Sequence, residues 1–330
     1  MLHDFDSALV KQGLGIAAPP RLSLGLADRA RLLSSLPREQ CRPRSSGGCA
    51  MNTTGLGALR TVLAAAAAAG IVGACVQAPG NAPPPAATLS EAGIAAIVNR
   101  ADRTAADREN DKRRKPEQML AFIGLRPGMT ALDLMAGGGY TSELLARAIG
   151  PGGKVYAQAT PRDANRPAPP NARLPGAGVL EREARLSADK AGAAPIELLL
   201  RRLGDPLPPE LAQGTLDVVT LMFNYHDLGA LGEGRAQMNR AVFAALKPGG
   251  LYVVADHAGR PGTGISESTT LHRIEEAFLR QEVEAAGFKL LAAGNFLRNP
   301  ADPRDRETPV PPMPKDEFVL KFVKPGGAGR

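Results

Sequence analysis

Residues 124–158 read GLRPGMTALDLMAGGGYTSELLARAIGPGGKVYAQ, and the fold is decided there. Apolar Ala131, Leu132 and Leu134 lead into Gly137, Gly138 and Gly139, after which Leu144, Leu145, Ala148 and Ile149 recur at helical spacing. The pattern predicts a strand over 130–135, a glycine turn and a helix over 141–149. After the turn Pro151-Gly152-Gly153 it predicts a second strand over 154–158. Glycines at a strand-to-helix junction let a ligand approach the backbone, because no Cβ stands in the way and positive φ costs little. The helix N-terminus adds unpaired amide donors, so the stretch predicts nucleotide binding.

The same residues resemble the first motif of the class I S-adenosylmethionine-dependent methyltransferases, an acidic residue followed by GxGxG. Asp133 opens that motif, and Gly137 and Gly139 close it. Met135 stands where its first glycine usually falls. A group of exported bacterial methyltransferases is similar even there, with a bulky residue before an unbroken GGG. The resemblance runs over 99–325. It implies one doubly wound α/β domain, a seven-stranded, mostly parallel sheet in the order 3-2-1-4-5-7-6 with the final strand antiparallel. It also implies S-adenosyl-L-methionine as cofactor, held by Asp133, Met135, Ala136, Gly137, Gly138, Gly139 and Tyr140.

Downstream, methyltransferases and dinucleotide enzymes alike commonly end the second strand in a carboxylate that accepts from ribose hydroxyls. Gln158 stands there instead, and its uncharged amide is the group expected to meet a hydroxyl. The proline-rich 161–178 predicts no regular structure, 181–191 a helix and 196–201 a third strand. Asp205 follows where the resembled family often holds the adenine amino group, although a turn aspartate reads equally well. Strand four, 216–223, reads LDVVTLMF, the near-continuous apolar run of a strand covered on both faces.

Ligands of open parallel sheets bind beyond the carboxyl ends of the strands. That makes Asn224-Tyr225-His226-Asp227, directly after strand four, the most chemical tetrapeptide of the chain. The resembled group has a similar Asn-x-His signature, which adds Asn224 to the cofactor set. Asp227 either assists His226 or caps the helix behind it. A helix over 233–246, the turn Lys247-Pro248-Gly249-Gly250 and a strand over 251–255 lead to Asp256-His257, a second polar pair at a strand end. The glycine-rich 259–268 predicts a mobile lid. A helix over 272–286 turns Ile274, Phe278, Val283 and Ala286 inward, and strands over 288–296 and 318–323 flank an aperiodic functional loop.

Upstream, 89–114 has a mostly polar helical pattern with Ser90 as N-cap, and Pro116 restarts the helix. Residues 51–75 read MNTTGLGALRTVLAAAAAAGIVGAC, with Arg60 ahead of an apolar run too short to span a bilayer comfortably. Val72-Gly73-Ala74-Cys75 resembles the bacterial lipobox, whose cysteine is lipidated. The expected organisation is a non-native or disordered extension over 1–50, a lipoprotein-type signal over 51–74 and a proline-rich tether over 75–89. The methyltransferase-like domain then covers 90–325 and a disordered tail 326–330. The expected location is periplasmic, at the outer membrane through Cys75. Cys41, Cys49 and Cys75 are the only cysteines, so the domain holds no thiol, and no metal site is expected. Beyond residue 74 there are 32 Lys and Arg against 29 Asp and Glu, which argues for no nucleic-acid partner. Lys112-Arg113-Arg114-Lys115 is flanked by acids and predicts a solvated helix face.

The leading functional expectation is methyl transfer from S-adenosylmethionine to a small acceptor. His226, assisted by Asp227, is the expected base and His257 the second candidate. A rival is an NADP-dependent oxidoreductase, since Gly137, Gly139 and Ser142 nearly fit GxGxxG and Arg162 could meet a 2′-phosphate. A third reading is an exported, non-catalytic binding protein on the same fold.

Overall fold

The computed structural model describes residues 87–163, 165, 167–188, 192–231, 234–307 and 313–326. All of them belong to a unit spanning Ala78–Arg330. The expected extension over 1–50, the expected signal over 51–74, Cys75 and most of the expected tether lie outside the described residues, as do 327–330. Helices α1 (Glu91–Val98), α2 (Ala105–Arg114) and α3 (Pro116–Ile123) precede β1 (Thr130–Leu134), α4 (Tyr140–Ile149) and β2 (Lys154–Ala159). Then come α5 (Ala177–Ala188), β3 (Ile196–Leu200), β4 (Leu216–Met222), α6 (Asp227–Leu231), α7 (Arg235–Ala245) and β5 (Leu246–His257). Helix α8 (Glu276–Ala285) and strands β6 (Lys289–Gly294) and β7 (Glu317–Val323) complete the domain.

The strands form one sheet in the order β3-β2-β1-β4-β5-β7-β6. The pairs from β3 to β5 are parallel, and β7 runs antiparallel between β5 and β6. Successive strand residues point to opposite faces, so the apolar runs feed two cores. Ala131, Val155, Val218, Val253 and Val319 pack with α1, α3, α4 and α5 on one face. Leu132, Val219, Tyr252, Val254 and Leu320 pack with α7 and α8 on the other. This is the expected doubly wound α/β architecture, and it gathers the carboxyl ends of β1, β4 and β5 along one edge.

Several boundaries differ from the sequence reading. The polar pattern over 89–114 is two helices, broken where Thr104 and Asp107 form a reciprocal capping box for α2. Ser90 caps α1 as expected, accepting from Gly93 N. The helix expected from residue 272 starts only at Glu276, because His272 is left-handed at φ 50 and Ile274 bridges to Ala258. Lys247-Pro248-Gly249-Gly250 belongs to β5, whose pairing with β4 shifts register there. Residues 177 and 178, expected to be irregular, lie in the first turn of α5, and 189–191 of the expected helix lie outside the described residues.

Candidate functional site

The glycine turn leaves β1 through Met135, a left-handed residue at φ 51, and continues with Gly137 at φ 53 and Gly139 at φ 76. Left-handed backbone costs an L-residue about 1–2 kcal/mol. That is the physical reason for glycine at the position Met135 occupies. A Cβ on Gly137 would meet nothing nearer than Met135 O at 3.9 Å, so this part of the turn is open. The rest is covered by α5. A Cβ on Gly139 would press on Arg182 Cδ at 3.0 Å and Val179 Cα at 3.2 Å, and one on Gly178 would lie 2.9 Å from Gly138 Cα. Arg182 Nε also donates to Gly138 O at 2.7 Å.

Two of the predicted cofactor residues hold the turn from below. Asp133 is buried, accepting from Ser142 Oγ at 2.7 Å and Thr220 Oγ1 at 2.8 Å, and burial raises its carboxyl to about 6 against those bonds. Gln158 is fully buried. Its Oε1 accepts from Met135 N at 2.9 Å, its Nε2 donates to Arg201 O at 2.5 Å, and its carbonyl accepts from Ala136 N at 2.9 Å. Asn224 Nδ2 donates to Met222 O at 3.0 Å and Met135 O at 3.3 Å, tying the end of β4 to the turn. Tyr140 donates its hydroxyl to Asp111 Oδ1 at 2.6 Å. Asp205 is exposed in a turn and pairs with Arg201. Arg162, the basis of the dinucleotide reading, donates to Arg173 O.

Helix α2 crosses this edge. Asp107 binds Arg182 through both oxygens, Asp111 binds Arg103 and Tyr140, and Arg113 Nη1 reaches Glu317 Oε1 at 2.7 Å. The basic run is therefore only partly a solvated face. Arg114 lies inward with its guanidinium 4.8 Å from the Phe223 ring and 5.3 Å from that of Tyr140. Its Nε is buried without a hydrogen-bond partner, and burial beside Arg113 lowers the guanidinium to about 10. The apolar spacing of α2 gives no sign of this, because its mean character is wholly polar.

Past Phe223, itself left-handed at φ 64, three imidazoles meet: His226 and His257 with centroids 5.4 Å apart, His226 and His272 5.7 Å apart. His226 is buried. Its Nδ1 lies 2.6 Å from Asp256 Oδ1, its backbone N donates to Asp256 Oδ2 at 2.8 Å, and its Nε2 lies 3.2 Å from Asp227 Oδ1. Burial alone would lower this imidazole, but Asp256 and Asp227 outweigh it and raise it to about 10. His257 is pushed well below 6.5 by burial, and its Nδ1 stands 3.0 Å from Glu317 Oε1. Asp227 turns its carboxylate toward imidazoles, with His272 Nδ1 at 3.8 Å. Tyr225 points into the core, donating to Glu282 and accepting from Asn239.

His272 and Glu317 escaped the sequence reading, Arg114 entered it only as part of a solvated face, and Asp256 entered it without a role. His272 and Glu317 come from segments read as helix start and loop end, and only folding sets them beside strand four. The expected lid, 259–268, is tied down through Gly264, whose N and O bond Glu275, and through Gly259 N to Ile274 O.

No family model matches the sequence, and no curated protein does. Among solved structures, an S-adenosylmethionine-dependent methyltransferase from Aquifex aeolicus is 18% identical, with 72% of this chain and 99% of that one covered and a TM-score of 0.44. An arsenic(III) S-adenosylmethionine methyltransferase from Chlamydomonas reinhardtii is 16% identical, with 76% of each chain covered and a TM-score of 0.46. Likeness of this degree carries no argument about activity, which rests on the side chains.

Proposed function

We propose that the chain transfers a methyl group from S-adenosylmethionine to a small acceptor held at the histidine cluster. The observation that carries this reading is the open glycine turn at the end of β1, joined through Asn224 to the histidines beyond β4 and β5. Gly137 leaves room for a ligand against the backbone. Arg114, with a buried and unpartnered Nε between Tyr140 and Phe223, suits the carboxylate of an amino-acid moiety. When bound, the cofactor supplies a methyl carbon already activated by its sulfonium. What remains for the chain is alignment, exclusion of water by α2, and acceptance of a proton where the acceptor carries one. His257, at the end of β5 and kept neutral by burial, stands ready for that last task, whereas His226, raised to about 10, already carries a proton at neutral pH when its Nε2 is free. Gln158, tied into the turn and to Arg201, is not the ribose partner in this reading, so binding leans on Arg114 and backbone.

Calorimetric titration suits a chain without tryptophan. S-adenosylhomocysteine should bind with one-to-one stoichiometry and NADPH should not. Binding of NADPH alone would restore the oxidoreductase reading, and binding of neither would favour a protein that has changed its ligand. Cys75, in the lipobox-like Val72-Gly73-Ala74-Cys75, is part of the same proposal as the lipidated first residue of an exported, outer-membrane form, in line with the resembled exported group.

A further inference from the structure

We propose that His226 Nε2, Asp227 Oδ1 and His272 Nδ1 bind a divalent transition-metal cation of the zinc class. Each of the three residues places a donor atom within 4.8 Å of the others, and Asp227 Oδ1 lies 3.2 Å from His226 Nε2 and 3.8 Å from His272 Nδ1. Metal–ligand bonds of roughly 2.0–2.2 Å in tetrahedral geometry put neighbouring donors about 3.3–3.5 Å apart. Closing the site takes a few tenths of an ångström between Asp227 and His272 and at most about 1.5 Å between the two imidazole donors. Two imidazoles and one carboxylate are also a donor set that leaves a coordination position open to an exogenous atom.

The supporting groups point the same way. Asp256 is fully buried and faces His226 Nδ1 at 2.6 Å, which fixes the ring and directs Nε2 at Asp227. A carboxylate on the far nitrogen is how metal-binding imidazoles are oriented and made more basic. His272 repeats the arrangement at longer range, its Nε2 lying 3.9 Å from Glu307 Oε1. Its backbone is held left-handed by its neighbours: Arg273 is fully buried on Asp302 and Ala258 O, and Ile274 N donates to His257 O. Holding a β-carbon-bearing residue in that conformation costs on the order of 1 kcal/mol, and it aims the imidazole at Asp227. Asp227 and His272 remain partly exposed, which leaves a way in. On the methyl-transfer reading, and resting on it, the open position would hold an acceptor hydroxyl or thiol as its anion.

Chelator-treated protein titrated with Co²⁺ should bind one equivalent and develop the visible absorption of a four- or five-coordinate ion. His272→Asn keeps the backbone conformation, which asparagine tolerates, and should weaken binding at least about tenfold. Asp256→Asn leaves all three ligands and should weaken it by about tenfold through the lost orientation. Absence of Co²⁺ binding, or equal affinity in His272→Asn, overturns the site, and equal affinity in Asp256→Asn overturns the role of Asp256. The S-adenosylhomocysteine titration is read separately: Co²⁺ binding without it leaves the metal site standing and removes only the methyl-transfer reading.

Discussion

Single residues around the turn show how one position can carry a motif yet do different work. Gln158 occupies the place of a ribose-binding carboxylate, but its amide joins β1 to β3 by accepting from Met135 N and donating to Arg201 O. Gln158→Glu should therefore not improve nucleoside binding. A carboxylate would still accept from Met135 N, yet would set an oxygen against Arg201 O in a fully buried place, at a cost of about 2–3 kcal/mol. The expected outcome in thermal denaturation is a lower midpoint, with S-adenosylhomocysteine affinity no better than that of the parent. Unchanged stability together with tighter binding would show that the side chain faces the ligand after all. Met135, Phe223 and His272 share a second trait. Each is a non-glycine residue in left-handed backbone at a corner of the site, where surrounding structure holds the conformation in place.

Among elements, α2 is tied by charge rather than by apolar contact. Asp107 is buried against Arg182 of α5, with Thr104 on the same carboxylate, and Arg182 also binds Glu143 of α4, where Arg147 and Arg185 converge. Burial would raise the Asp107 carboxyl, but Arg182 and Thr104 outweigh it and hold it at about 2, below the ordinary 3.8. A depressed folded-state value means that the stabilisation is fully present above pH 4 and is lost as pH falls toward 2. The difference amounts to roughly 2 kcal/mol. Asp107→Asn should lower stability at neutral pH by about 2–3 kcal/mol, since Arg182 keeps Glu143, and should flatten the fall of the melting midpoint between pH 4 and 2. A variant with the parent's midpoint and acid profile would show that α2 is held by something other than this pair.

For the whole molecule, the amino-terminal proposal has its own test. Where Cys75 is acylated, more than one chain makes anchoring stable, and the proline-rich segment behind it sets the reach of the domain. Val76 in the next position is not the aspartate associated with inner-membrane retention. Expressed in a diderm bacterium, the full chain should fractionate with outer membranes. Cys75→Ser should release a folded protein or stall its processing. Native protein whose mass retains residues 51–75 unmodified would overturn export and leave a domain with ordinary access to a cytoplasmic cofactor.

The sequence by itself determined the strands and helices, while the order of the strands in the sheet came only from the family resemblance and the structure. Runs such as Leu216–Met222, interrupted only by Asp217 and Thr220, are apolar on both sides because both faces of the strand are covered, and the glycine turn marks where β1 gives way to α4. Such signals are local, repeating within a turn or a pleat, and so are readable without neighbours. The tetrapeptide at 224–227 was legible for the same reason, as polar residues at the end of an apolar strand. What only the tertiary structure decided is pairing across long separations. Asp256 meets His226 thirty residues away, Arg113 meets Glu317 across 204, and His272 reaches Asp227 because Ile274 bridges to Ala258. A hydrogen-bonding side chain has no periodicity that announces its partner. Asp133, Gln158 and Arg114 thus looked alike as polar residues near a ligand or in solvent, until burial gave each its own part.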